Sequence, residues 1–428
     1  MKKKLPIISL LLCLPMLAAQ AQESVEVRVR QNGVEREDSI ELPRSMTYPL
    51  DSLLIDWKAK TYVTPDKDCV TLPTNPQYSD SVYIDRLSRI PAVMELPYND
   101  IVRKFIDRYT EKLRMQVSFM LSASNFYMPI FEEALDAYDL PLELKYLPII
   151  ESALNPSAVS RAGASGLWQF MLRTGKLYGL ESNSLVDERR DPIKSTWAAA
   201  RYLKDLYAIY GDWNLVIAAY NCGPGNVNKA IRRAGGKTDY WQIYQYLPRE
   251  TRGYVPAFIA ANYVMTYYCN HNICPMETNI PAATDTVQVH RNLHFDQLAA
   301  LCDVSSEELK SLNPQYKRSI IPGHTSTQTL RLPTNSLSLF IDRQDSVYAY
   351  RSDELFKNRR TVAAAQSAPA SRKATVGKGN LINYKIRSGD TLGSIAERYG
   401  VSVRQLQSWN GMSGTGIRAG KTLKIYQQ

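Results

Sequence analysis

Between residues 80 and 272 the apolar side chains return every three to four positions. Ile101, Val102, Phe105, Ile106 and Tyr109 form one such series, and 196–210 and 255–268 carry others. That period fits one face of an α-helix and not a strand, whose faces alternate at every second residue. The centre of the chain is therefore expected to be a mainly helical domain, bounded at 80–280. With 428 residues there is room for two or three domains, and 44% hydrophobic residues supply enough apolar surface for their cores.

The flanks read differently. Lys2-Lys3-Lys4, an apolar stretch over 5–17 and then Ala19-Gln20-Ala21 follow the charged, apolar, small-residue order of a secretory signal, assigned to 1–21. The apolar part is too short to cross a bilayer, for which roughly 20 residues are needed, and no later stretch is long enough. Leu12 precedes Cys13 where a small residue would be expected, so a lipid anchor is the weaker reading. Residues 22–79 contain alternating runs such as Val25-Glu26-Val27-Arg28-Val29, broken by prolines, and read as an irregular or β-containing extension.

Beyond Pro275 the chain repeats itself. VSSEELKSLNP at 304–314 aligns with VSVRQLQSWNG at 401–411, and IPGHTSTQTLRLP at 321–333 with IRAGKTLKIY at 417–426. Each copy, 285–333 and 382–427, reads strand, helix, helix, strand. Residues 334–381 between them, above all 361–380, are rich in Ala, Ser, Lys and Gly and read as a linker.

Removal of 1–21 takes three lysines and no acids from a formal charge of +10, leaving +7. A basic exported protein suits an anionic polymer or a membrane surface. No Lys/Arg cluster interleaved with aromatics points to nucleic acid. Cys69, Cys222, Cys269, Cys274 and Cys302 are too scattered for a disulfide scaffold, although Cys269 and Cys274 are close enough in sequence to pair. One His between those two, without a second Cys/His cluster, argues against a metal site.

The stretch LPIIESALNPSAVSRAGASGLWQF, 147–170, holds the residue with the clearest chemistry. Leu147, Ile149 and Ile150 lead Glu151 into an apolar setting, where a carboxyl group resists ionisation and stays protonated near neutral pH. Such a group can protonate a leaving-group oxygen, the step that glycosidic cleavage requires. Asn155-Pro156 is expected to stop the helix. The small residues of 161–166 are expected to let backbone approach a ligand. Trp168 would give an aromatic wall, and Gln169 a hydrogen-bonding amide. Farther on come Ala219-Tyr220-Asn221-Cys222-Gly223-Pro224-Gly225 and Glu250-Thr251-Arg252-Gly253-Tyr254-Val255-Pro256.

Taken in order, four blocks resemble the catalytic domain of lytic murein transglycosylases of the membrane-bound D type. They are Glu151-Ser152 with Asn155-Pro156; 160–169 with Phe170-Met171; Ala219-Tyr220-Asn221 with Gly223 and Gly225; and Glu250-Thr251 with Tyr254-Val255-Pro256. The resemblance implies a lysozyme-like helical fold with Glu151 as the catalytic acid. It further implies cleft positions for Ser160, Gln169, Met171, Tyr220 and Asn221, and places near the acid for Glu250 and Tyr254. Cys222 stands where the family more often has Ala. Hydrolytic glycosidases usually use two carboxylates, about 5 to 9.5 Å apart, and no second acid lies beside Glu151 in its motif. The family implies a substitute: the muramic 6-hydroxyl of the substrate attacks the anomeric carbon and leaves a 1,6-anhydro end.

Tyr384-Lys385-Ile386, Ser388 through Leu392, Ile395-Ala396, Leu406, Asn410 and Leu423-Lys424-Ile425 resemble a LysM module, which binds N-acetylglucosamine polymers. The resemblance implies sugar contacts at Gly389, Asp390, Thr391, Leu392, Asn410, Gly411 and Met412. The copy at 285–333 has Arg291-Asn292-Leu293-His294-Phe295 in place of the Gly-Asp-Thr-Leu signature, and either weak sugar binding or a spacer role is open to it. The expected whole is mainly α: a lysozyme-like catalytic domain followed by small α+β modules of βααβ order. It is expected to be exported to the periplasm, to take peptidoglycan as its partner, and to need no cofactor or metal. A goose-type lysozyme-like hydrolase using Glu250, and a wall-binding scaffold without activity, remain as alternatives.

Overall fold

The computed structural model describes residues 23–31, 34–50, 69, 72–276, 283–356, 380–387, 390–412 and 416–427. The signal-like segment 1–21 lies outside the described residues. The chain divides into two units, Met1–Tyr350 and Arg351–Gln428.

In the first unit the helical stripes fold as their period predicts. The principal helices are α1 (Asp80–Ser88), α2 (Asp100–Asp107), α3 (Arg114–Ala137), α4 (Leu147–Ser152), α5 (Leu172–Leu177), α6 (Pro192–Tyr210), α7 (Trp213–Cys222), α8 (Pro224–Arg233) and α9 (Arg249–Tyr267). Their starts and stops are local chemistry. The Asn99 side chain accepts from the Ile101 and Val102 amides, and Asp191 accepts from Ile193 and Lys194 just ahead of Pro192. Gly211, at φ +61°, ends α6 in the left-handed region that glycine enters without steric cost. The stripe Ile101, Val102, Phe105 and Ile106 is buried in one core with most of α9, which is apolar on nearly all sides and correspondingly central.

Of the extension at 22–79, Val27, Ile40, Leu42 and Met46 enter this core. β1 (Ser24–Gln31) and β2 (Val34–Glu41) pair antiparallel, Val25 facing Ile40 and Val27 facing Asp38. The alternation seen in sequence puts Val27 into the core with Ile40, while Val25 and Val29 pack against it. Gly253 of α9 makes the approach possible. A β-carbon there would lie 2.5 Å from Ile40 Cγ2 and 2.9 Å from the Glu41 carbonyl. Arg252 then ties the hairpin down through Asp38, 2.8 Å away.

Cys69 bonds to Cys274, so the pairing of Cys274 with Cys269 does not occur. Sequence proximity misled here. The bond joins the extension to the end of the helical domain across 205 residues, and Cys269 keeps a free thiol 3.8 Å from the Cys69 sulfur.

The first repeat copy belongs to the first unit. β3 (Thr284–Val289) pairs with β6 (Gln328–Pro333) and β4 (Asn292–His294) with β5 (Ile320–Pro322), around α10 (Phe295–Leu301) and α11 (Ser306–Leu312). It is larger than expected. Residues assigned to the linker form α12 (Thr334–Asp342) and α13 (Gln344–Ala349), whose Leu337, Phe340, Val347 and Tyr348 enter its core. In the second unit β7 (Asn380–Lys385) pairs with β8 (Thr422–Gln427) around α14 (Leu392–Arg398) and α15 (Val403–Trp409), the expected strand, helix, helix, strand order. Among the described residues no helix is long and apolar enough to cross a membrane.

Candidate active site

Glu151 is the last residue but one of α4 and opens onto a cavity of about 380 Å³. The helix ends sooner than Asn155-Pro156 suggested. Ala153 and Leu154 take left-handed conformations at φ +51° and +61°, and their amides reach back to the Ile149 and Pro148 carbonyls. Two successive non-glycine residues in that region are uncommon, and they turn the chain out of the helix directly after the acid. Asn155 forms the next turn, its side chain accepting from the Ser157 amide at 2.7 Å.

Burial raises the Glu151 carboxyl to about 8. A hydrogen bond donated by the Tyr254 hydroxyl pulls it back in part, and Glu250 nearby adds to the rise. The carboxyl group is therefore largely protonated at neutral pH. Successive residues of α9 divide the labour around it. Glu250 lines the cavity, Thr251 donates to the Asn221 side-chain oxygen at 2.8 Å, and Tyr254 reaches the acid. Spacing along a helix sends each of these in its own direction.

Ser160, Gln169, Met171, Tyr220 and Asn221 line the same cavity, together with Cys222 and Tyr202. The structure thus brings together the cleft residues that the family resemblance implied. Their geometry is built from backbone contacts. Gln169, at φ +45°, donates its amide to the Gly166 carbonyl at 2.8 Å and the Ala158 carbonyl at 3.2 Å. Ser160 accepts from the Ala164 amide at 3.0 Å, and the Tyr220 hydroxyl donates to the Trp168 carbonyl at 2.8 Å. Trp168 itself is no wall. It is fully buried, donates its indole N–H to Thr196 at 2.9 Å and packs on Phe131. The one-residue offset from Gln169 sends the ring into the core.

Gly166 also differs from expectation. It has φ +86°, and a β-carbon would meet the Arg189 carbonyl oxygen at 1.8 Å, so the close approach is to the protein's own backbone. Arg189 was not legible as a site residue. Its guanidinium clasps Asp187 with both carboxylate oxygens at 2.8 and 2.9 Å, and donates to the Gly163 and Phe170 carbonyls at 2.8 and 3.0 Å. It therefore fixes both ends of the cleft loop that carries Gln169. Burial works to raise the Asp187 carboxyl. The Arg189 fork, with Lys317 behind it, more than offsets that and holds it below the ordinary carboxylate range. Asp187, Glu188 and Arg189 are all buried, an interior role that the sequence analysis did not foresee.

Lys317 belongs to the first repeat copy. Val186 bridges to Tyr316 and joins that copy's core, the Asp187 amide donates to the Gln315 carbonyl at 2.9 Å, and the Lys317 ammonium donates to the Asn183 carbonyl at 2.9 Å. The copy thus braces the segment that braces the cleft loop.

In the second unit, Asp390 accepts from the Tyr384 hydroxyl at 2.7 Å and the Arg387 amide at 2.8 Å. The Arg387 amide foremost, then Tyr384, holds its carboxyl below the usual range. Thr391 exchanges hydrogen bonds with Ser394, Leu392 is core, and Met412 packs against that core. Asn410 links the Leu406 and Lys424 carbonyls and accepts from the Lys424 amide at 2.7 Å. Gly411 is exposed at φ +62°. Gly389 lies outside the described residues. Most of these side chains shape the two loops. Among the described residues no group of three or more His, Cys, Asp or Glu is gathered as a metal would require.

Three family models match the chain: the Transglycosylase SLT domain at 128–243, the Lytic transglycosylase MltD, LysM-like domain at 283–349, and the LysM domain at 384–425. The membrane-bound lytic murein transglycosylase D of Escherichia coli K12 is 33% identical over 339 residues, covering 78% of this chain and 70% of that one. The chain belongs to the membrane-bound lytic murein transglycosylase D family. Within the wider group of lytic transglycosylases it is 33% identical to the soluble lytic murein transglycosylase of E. coli K12 over 124 residues, 28% of this chain and 19% of that one. It is 36% identical to the membrane-bound lytic murein transglycosylase F of Maricaulis maris over 137 residues, 28% of each chain. The crystal structure of the 70 kDa soluble lytic transglycosylase from E. coli aligns at 28% identity and a TM-score of 0.30, covering 34% of this chain and 25% of that one. The family's fold is the one described above, a lysozyme-like helical domain followed by small strand-bearing modules.

Proposed function

We propose that this peptidoglycan lytic transglycosylase uses Glu151 as its single acid and base. The observation that carries the reading is the Glu151 carboxyl, raised to about 8 beside a cavity lined by Gln169, Tyr220, Asn221 and Glu250. Glu151 gives its proton to the glycosidic oxygen as the bond from the muramoyl C1 breaks, and N-acetylglucosamine leaves with a free 4-hydroxyl. The muramoyl 6-hydroxyl then bonds to C1 and returns its proton to Glu151, so the acid is regenerated and a 1,6-anhydro end remains. No water is added. The attack is intramolecular and gains from proximity.

Tyr254 holds the carboxyl in place through its hydroxyl. Ser160, Met171, Gln169, Tyr220 and Asn221 bound the sugar site, and the two loops of the C-terminal LysM module, around Asp390 and Gly411, bind N-acetylglucosamine in the wall. Tethering of this kind raises the effective concentration of glycan at the cleft. The periplasm is the compartment we assign: the leader reads as a secretory signal, and the Cys69–Cys274 bond suits an oxidising space.

Digestion of purified murein by the parent and by Glu151→Gln, with mass analysis of the products, tests the reading. Anhydro-muramoyl ends from the parent and a loss of at least a thousandfold in the variant are expected. Reducing ends alone would favour a hydrolase in which Glu250 positions water, and a variant as fast as the parent would remove Glu151 from the chemistry.

A further inference from the structure

The extension ahead of the helical domain contributes to the cleft. After β2 the chain makes a short 3-10 turn, Arg44–Thr47, whose Ser45 hydroxyl donates to the Ile150 carbonyl at 2.7 Å, one residue before Glu151. Met46 is buried in the core beneath it. Pro43 and Arg44 consequently join the cavity lining. Arg44 is the one basic residue among the described residues that line the cavity, whose acidic residues are Glu151, largely protonated at neutral pH, and Glu250. Its guanidinium has no ion-pair partner among the described residues, although Arg103, Arg108, Arg189 and Arg252 all do. It is half-buried on a segment anchored at both faces. Burial foremost raises the Tyr48 hydroxyl, four residues on, and both Glu151 and Arg44 lie near enough to act on it.

An unpaired guanidinium on an anchored segment at the edge of the cleft is matched to a planar anion, which it can hold with two parallel hydrogen bonds. We propose that Arg44 binds a carboxylate of the glycan substrate and so makes the enzyme select acidic over neutral strands. The proposal rests on the cleft being the transglycosylase site argued above. Two carboxylates carry the right chemistry: that of a stem peptide, and the lactyl carboxylate of a muramoyl residue without its peptide.

The test compares the parent, Arg44→Gln and Arg44→Lys on peptide-bearing strands, on strands stripped of peptide, and on each after its carboxylates are converted to methylamides. The readout is kcat/KM on the acidic strand divided by that on its methylamide. For Arg44→Gln this ratio is expected to fall about tenfold, the value of one charge-assisted hydrogen-bonded contact, with the change in KM. Arg44→Lys keeps part of it. A fall confined to peptide-bearing strands identifies the stem carboxylate, and one confined to stripped strands the lactyl group. An unchanged ratio, or equal losses on the methylamides, overturns the proposal. Because the ratio does not depend on which product forms, reducing ends in place of anhydro ends would overturn the transglycosylase reading alone.

Discussion

Asn313 and Asn410 occupy the same post in two copies of one small fold, yet the copies are put to different use. Asn313 donates to the Leu309 and Arg331 carbonyls and accepts from the Arg331 amide, as Asn410 does with Leu406 and Lys424. Ser305 and Ser402 cap the second helix of each copy in the same manner. The shared residues therefore maintain the fold. What differs is the surface. The first copy takes Val186 of the catalytic domain into its core, adds α12 and α13, and sets Lys317 behind Asp187. The second builds its described core from its own residues. A repeat that has turned into a brace keeps its interior and changes the faces it presents.

The largest effect that would break this comparison comes from charging each core in turn. Leu330 in β6 and Leu423 in β8 are both buried. Leu330→Asp is expected to cost roughly 3 to 5 kcal/mol, to lower the melting temperature of the first unit by about 10 °C, and to depress turnover of soluble glycan strands. Leu423→Asp should leave that transition and that turnover as they are, and release the enzyme from insoluble murein. Calorimetry with both assays checks this. Equal behaviour of the two variants would mean that the first copy is no brace.

A smaller effect sharpens the mechanism of bracing. Asp187→Ala strands a buried guanidinium and is expected to destabilise by about 3 kcal/mol. Lys317→Ala touches a partly exposed group 3.8 Å from Asp187, and about 0.5 kcal/mol is expected. Denaturant unfolding of the full chain measures both. If the Lys317 loss matched the Asp187 loss, the fork on Arg189 would not be the main support of the cleft loop.

How much of this could be read from sequence depends on the range of the interaction. The helices were legible because apolar period and capping are local, as at Asn99 and Asp191. The lining of the candidate cleft, Glu151 included, was legible because each block that contributes to it is contiguous in the chain. Trp168 was misassigned because one residue of offset decides between cleft and core. Cys69, Arg189 and the Ser45 contact that brings Arg44 to the cleft were missed for a different reason: the partners of Cys69, Ser45 and Arg189 lie 205, 105 and 26 residues away, at Cys274, Ile150 and Gly163. No local pattern marks such contacts. The end of the first copy was misplaced because α12 and α13 are only nine and six residues long, too short for a period to stand out beside linker composition, and are held by what they pack against.

The central claim is that the Glu151 carboxyl keeps its proton at neutral pH. Its pKa is raised, so the neutral form is the stable one in the fold, and it ionises only as pH rises through about 8. Infrared difference titration of the folded enzyme, with Glu151→Gln subtracted, reads that proton directly. The account predicts a carbonyl band of a protonated acid that persists at pH 7 and disappears with a midpoint near 8. A midpoint near the ordinary carboxylate value of 4.5 would contradict it.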